Sequence, residues 1–250
     1  MNSLFIQALL VGLLVWVLFI DKYVTQLFSY RPIVVGPLVG LLLGNVQAGL
    51  QVGVIVELMF LGQVYVGTAL PPEETFSTAI AAAFACITGN VAVAVATALP
   101  LAILGQQVLQ FRNMVLTVWT GNKVEKAALN LDMKGVWFYG QIMPNLFNLV
   151  LLAVPAFMAV YFGADAVQAI INAIPPMIIS GLTVGGKIIG AVGLALLLKS
   201  INVKGVWYFF LIGFFFASYL NIQPIGIALI AVIAVAAAYY NDQRSESRGA

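Results

Sequence analysis

Residues 51–76 read QVGVIVELMFLGQVYVGTALPPEETF. Glu57 stands inside an apolar run of about twenty residues, the length at which a helix crosses a bilayer. An ionisable carboxylate at that depth costs at least ~3 kcal/mol. It requires a proton, a buried partner or a water-filled cavity. Two uses meet that requirement, structural ion pairing and a ligand site. Helical spacing puts Gly53, Phe60, Leu61 and Val64 on the face of Glu57. Gln63 lies about 240° around the helix from Glu57, so the two converge only if the helix loosens at Gly62. Pro71 and Pro72 then end the helix. Acids directly after proline are a helix-start pattern. Glu73 and Glu74 therefore cap an exposed turn; where that turn instead dips into the membrane, Glu73 and free backbone N–H groups face a cavity.

The composition around this stretch sets the class. The chain has 250 residues, 62% hydrophobic and 8% charged, against about 25% charged in soluble domains. So few charges cannot cover a water-facing surface, and lipid must replace water over most of the exterior. The single cysteine, Cys86, excludes a disulfide within the chain and reads as a small packing residue. Histidine is absent, which removes histidine bases, imidazole metal ligands and phosphohistidine carriers. No metal or cofactor is expected. A formal charge of +2 without a basic stripe gives no footprint for nucleic acid.

Apolar segments of spanning or nearly spanning length are 4–20, 32–50, 51–70, 78–98, 136–162, 166–183, 184–199 and 206–240. The first lacks a basic leader and a cleavage site, which predicts a retained membrane helix. The last makes two passes or one helix broken near LNIQPIG. The piece 99–111 is short, carries Gln106, Gln107 and Gln110, and reads as re-entrant. Breaks at Pro37, Pro71, Pro72, Pro100, Pro144, Pro155, Pro175, Pro176 and Pro224 coincide with polar residues, as in transporters with interrupted helices. Glycine recurs every fourth residue at Gly36, Gly40 and Gly44, and in the pairs Gly181 with Gly185 and Gly186 with Gly190. That spacing builds a flat helix face, for sliding or for static packing. The hydrophilic stretch 112–135, with Arg112, Lys123, Lys126 and Lys134, predicts a cytoplasmic loop. The fold class is all-α and polytopic, with eight to ten membrane or re-entrant elements in one domain over 1–240 and a polar, disordered tail over 241–250.

Amides in apolar context are Gln106, Asn145, Asn148, Asn221 and Gln223, each a candidate for ligand contact or interhelical bonding. Lys187 is the one cation deep in a predicted span, placed to pair with Glu57 or to snorkel. Asp21, Lys22 and Arg31 flank spans and read as interfacial anchors. Trp16, Trp119, Trp137 and Trp207 lie mostly near span ends, as an aromatic belt.

The ordered motifs resemble those of the enzyme IIC component of the mannose–fructose–sorbose family of the bacterial phosphotransferase system. They are Arg31–Pro32 before GPLVGLLLG, the G-x-x-x-E-L run Gly53–Leu58, Gly62 and Gly67, and Pro72 with the following acid. LAILGQ at 101–106, NAIP at 172–175, GLTVGG at 181–186 and Asn221 complete the series. The resemblance implies a sugar-conducting subunit of the bacterial cytoplasmic membrane rather than an enzyme. It implies a IID membrane partner, IIA and IIB phosphocarriers, a trimer of IIC–IID pairs and an elevator-like movement. It marks Glu57 and Glu73 as positions of the sugar pocket, with Gln63, Gln106 and Asn221 completing the lining as hydroxyl partners. The chain departs from many relatives at Val52–Gly53 and at Glu73–Glu74. RPIVVGPLVG and PPE look closer to the amino-sugar branch, whose ligands are N-acetylgalactosamine, galactosamine and related sugars. The competing reading is an ion- or proton-coupled secondary transporter with Glu57 as proton relay, in concert with Lys187.

Overall fold

The computed structural model describes residues 2–63, 70–173, 175, 177, 191–192, 194–199 and 207–249. They are helical and connecting segments, with no strand among them. The expected all-α membrane architecture is therefore the observed one. Lys187, the GLTVGG stretch and its glycine pairs lie outside the described residues.

The chain divides into two units, Met1–Leu198 and Lys199–Ala250. In the first, α1 (Asn2–Ile20) ends in a π-helical turn at Asp21–Thr25. Helix α2 (Pro32–Leu43) starts with proline at its first position, where no N–H is missed. It stops at Gly44, whose φ of 78° only glycine adopts without cost. Asn45 caps α3 (Val46–Phe60) by accepting from the Ala48 N–H at 3.1 Å. These two signals move the expected boundary at 50/51 back to 44/45. At 1.5 Å per residue α2 and α3 are about 18 and 22 Å long, short of a bilayer core of about 30 Å.

The α2–α3 hairpin closes on glycine. A Cβ on Gly36 would strike the Gly49 carbonyl oxygen and come within 2.7 Å of Gly53 Cα, and one on Gly53 would lie 2.6 Å from the Pro32 carbonyl. The ladder expected on one helix is thus half of a two-helix contact. Gly44 does not belong to it, because nothing lies within 4 Å of its Cβ position.

Helix α4 (Glu74–Thr88) is the centre of the unit, with α1, α2, α3, α5 and α9 around it. Residues Glu74–Ala85 are all buried. The small side chains of Ala79, Ala81, Ala82, Ala83 and Ala85 let the neighbours approach. Val15 and Phe19 of α1, Val35 and Val39 of α2, and Val52 and Val56 of α3 share its core.

Helix α5 (Val91–Phe111) passes through a π-helical turn at Arg112–Thr117 into α6 (Val118–Leu129). Val91–Leu129 is one continuous 39-residue helical rod, so 99–111 is not re-entrant and most of 112–135 is not a loop. The Gln106 amide bonds outside its own helix, so it does not compete for the helix's backbone groups. A second rod follows through α7 (Met133–Trp137), α8 (Met143–Asn148) and α9 (Val154–Ala173), joined by π-helical turns at Phe138–Ile142 and Leu149–Ala153. It runs on where a break near residue 163 was expected. Gly163 serves close packing there, since a Cβ would sit 3.0 Å from the Phe84 ring.

The second unit holds α10 (Trp207–Ser218) and α11 (Pro224–Gly249). The expected break at LNIQPIG separates them. Helix α11 continues through 241–249, a stretch with no glycine or proline before Gly249.

Candidate functional site

Glu57 projects from the last turns of α3 to Arg31, the residue that caps α2. Arg31 Nε donates to Glu57 Oε1 at 3.0 Å, and Arg31 Nη2 also bonds that oxygen. The Ile33 N–H, in the first turn of α2, donates to Glu57 Oε2 at 3.3 Å. The carboxylate thus meets both a guanidinium and the positive end of a helix. Arg31, expected as an interfacial anchor, is its partner. The pair is partly exposed, with side-chain accessibilities of 30% and 15%.

The second acid site is the start of α4. Glu73 caps that helix, its Oε2 accepting from the Phe76 N–H at 2.5 Å. Its Oε1 accepts from Lys22 Nζ at 2.6 Å. The same ammonium reaches Glu74 Oε1 at 3.0 Å and Thr75 Oγ1 at 3.4 Å. It also lies 5.2 Å from the Tyr30 ring centroid and 5.7 Å from that of Phe19. Glu73 and Glu74 are 1% and 2% exposed. The turn is therefore neither solvent-exposed nor free. Lys22, expected at an interface, is buried against both acids.

Gln63 and Gln106 brace the extended segment that delivers Glu73. Gln63 Nε2 donates to the Pro72 carbonyl at 3.3 Å, and Gln106 Nε2 to the Leu70 carbonyl at 2.5 Å. The Glu73 N–H donates to Ala102 of α5 at 2.9 Å. Gly105 makes room, for a Cβ there would lie 3.0 Å from Glu73 Cβ. Thr75 Oγ1 donates to the Tyr30 carbonyl at 3.1 Å. Tyr30 precedes Arg31, so the two acid sites are joined through the 28–31 turn. Four of the five predicted residues (Glu57, Gln63, Glu73 and Gln106) thus belong to one polar layer. Asn221 belongs to the second unit, where it sits exposed at φ 50° in the turn between α10 and α11.

The sequence reading missed Lys22, Glu74, Asp21 and Arg112 as members of buried polar groups, and Arg31 as the partner of Glu57. Asp21 is buried and accepts from Thr25 Oγ1 at 2.5 Å, the Leu27 N–H at 2.7 Å and the Ser29 N–H at 2.8 Å, which shapes the turn after α1. Arg112, expected in a loop, is buried. Its Nη1 donates to Asn148 Oδ1 at 2.9 Å, and its guanidinium stacks 4.4 Å from the Tyr23 ring centroid. One signal was available: each of these residues is polar yet adjoins a long apolar run. Chemically, the layer offers carboxylates, amides and one ammonium to a ligand rich in hydroxyls. Among the described residues no cluster of three or more histidine, cysteine or acidic side chains stands ready for a metal.

Residues 5–239 match the family model described as the PTS system sorbose-specific IIC component. The chain is 30% identical to the N-acetylgalactosamine permease IIC component 1 of Escherichia coli K12, over 97% of this chain and 90% of that one. It is 28% identical to the mannose-specific EIIC component of the same strain, over 91% and 86%. Identity to the fructose permease IIC component of Bacillus subtilis 168 is 30%, over 82% and 76%. A solved chain described as "Structure of membrane protein" superposes with a TM-score of 0.84 at 25% identity, covering 94% and 95%. The mannose transporter ManYZ in complex with microcin E492 gives 0.60 at 24% identity, a likeness of fold. With its helical membrane architecture and a match spanning nearly its whole length, the chain belongs to the sorbose-type IIC family of the phosphotransferase system, as a multi-pass sugar permease subunit of the bacterial cytoplasmic membrane.

Proposed function

We propose that this permease takes up a hexose or amino sugar, with N-acetylgalactosamine or galactosamine preferred, and presents it for phosphorylation by a IIB subunit. The preference draws on the similarity to an N-acetylgalactosamine permease along nearly the full chain. The observation that carries the site is the polar layer at the start of α4, buried at the centre of an otherwise apolar protein. Ordering charges there is costly, and hydroxyl recognition gives the layer a use. Glu57, the Glu73 group, Gln63 and Gln106 supply hydrogen-bond partners to the sugar. Gln63 and Gln106 spend only their amide donors on the 70–72 segment, which leaves their acceptor oxygens for a ligand. The half-length α2 and α3 belong to a part that moves in elevator fashion against the longer rods. A IID membrane subunit, IIB and IIA carriers and a trimer of IIC–IID pairs complete the machine. The ion-coupled alternative is not favoured, because family membership points to phosphotransfer and Glu57 is engaged by Arg31.

The test is uptake by membrane vesicles that hold the IIC–IID pair together with IIA, IIB and the general phosphocarriers. Labelled N-acetylgalactosamine, galactosamine, mannose, fructose and sorbose are offered with and without phosphoenolpyruvate. Accumulation of an amino-sugar phosphate that needs phosphoenolpyruvate is expected. Uptake that ignores phosphoenolpyruvate and collapses with an uncoupler overturns the proposal.

A further inference from the structure

Of the two adjacent acids at the start of α4, Glu73 is the one marked by its position after the prolines. Its oxygens are both engaged. Oε1 accepts from Lys22 and Oε2 accepts from the Phe76 N–H, while its own backbone N–H is tied to Ala102. Such a side chain is a helix cap and a counterion, held at both oxygens. Glu74 differs. Its Oε1 accepts from Lys22 at 3.0 Å, but its Oε2 is buried and accepts no hydrogen bond. A buried carboxylate oxygen without a donor is costly and rare. The surrounding packing is otherwise well satisfied, since Ser77 Oγ and Thr78 Oγ1 both return to the Glu74 carbonyl.

We infer that Glu74 is the carboxylate that meets the sugar, through Oε2, and that Lys22 and Glu73 are positioning residues. The inference rests on the proposed sugar site and deepens it. Lys22 holds Oε1, which fixes the rotation of the carboxylate and leaves its second oxygen for the ligand. An ionised carboxylate only accepts, so the ligand must bring a donor. A sugar hydroxyl or the ammonium of an unacetylated hexosamine fulfils that condition, whereas an ether or ring oxygen does not. Because Glu74 is 2% exposed, contact accompanies the transport movement that uncovers the start of α4.

The experiment compares wild type, Glu74→Gln, Glu74→Asp and Glu73→Gln in the complete vesicle system, using the sugar that wild type accumulates best. Uptake kinetics are read together with thermal unfolding of the purified IIC–IID complex, with and without sugar. A charge-assisted hydrogen bond corresponds to a factor of about ten to a hundred in affinity. Glu74→Gln is expected to raise KM by about that factor and to abolish the sugar-induced rise in Tm. Glu74→Asp keeps the charge but withdraws the oxygen by one methylene, and is expected to raise KM with little change in maximal rate. Glu73→Gln is expected to lower the Tm of the sugar-free complex. A KM within twofold of wild type for both Glu74 variants, with the sugar-induced shift retained, overturns the inference. Failure of both Glu74 variants to assemble while Glu73→Gln assembles also overturns it, since Glu74 is then structural. A wild-type complex that takes up none of the sugars with phosphoenolpyruvate defeats the underlying permease reading instead.

Discussion

Replacing Lys22 by methionine tests the energetic core of the structure. The substitution keeps an unbranched side chain of similar length and removes the ammonium. The hydrogen bonds at 2.6 Å to Glu73, 3.0 Å to Glu74 and 3.4 Å to Thr75 disappear. Two adjacent carboxylates, with side chains 1% and 3% accessible, then lose the cation between them. Removing one partner of a buried ion pair costs about 3–5 kcal/mol. For a chain of this size each kcal/mol lowers Tm by about 2–4 °C, so Lys22→Met is expected to melt about 6–20 °C below wild type. The assay is thermal unfolding of the purified complex in nanodiscs, followed by tryptophan fluorescence. Neutralising the acids as well, with Glu73→Gln and Glu74→Gln in the Lys22→Met background, is expected to recover most of the loss, because no buried charge is then uncompensated. A Lys22→Met protein melting within about 2 °C of wild type would refute the view that this ion triad holds α1 to α4.

Four further substitutions have expected outcomes. Gly36→Val drives its side chain into the Gly49 carbonyl and the Gly53 backbone, so the α2–α3 hairpin should separate and the yield of assembled protein collapse. Gly121→Ala, with nothing within 4 Å, should be tolerated or stabilising by up to about 1 kcal/mol; yields from membrane extracts compare the two. Glu57→Gln weakens a partly exposed pair, so its stability cost should stay near about 1 kcal/mol. Its uptake should fall sharply if Glu57 serves the sugar, and uptake assays on correctly assembled protein decide this. Asn148→Leu strips the Arg112 Nη1 of its acceptor in a buried setting, with an expected cost of about 1–3 kcal/mol, read as a lowered Tm.

The legibility of this protein divides along a physical line. What the sequence determined was whatever depends on sums over a segment or on a local clash. Apolar runs with 8% charge require lipid and helices. The LNIQPIG break ends a helix by local geometry. The cost of a buried acid made Glu57 and the residues after Pro72 conspicuous. Tertiary structure alone decided who answers each acid. Lys22 lies 51 residues from Glu73 and Arg31 lies 26 from Glu57, and nothing local distinguishes them from cations that anchor at an interface. The same holds for α5, where Gln106 looks like an interruption until the Leu70 carbonyl is brought to it. It also holds for Glu74, whose unsatisfied oxygen appears only once Lys22 and the α4 cap have taken their places. Local sequence sets the demand for a partner, because desolvation is a property of the group and its depth. Supplying that partner is a property of the packed fold.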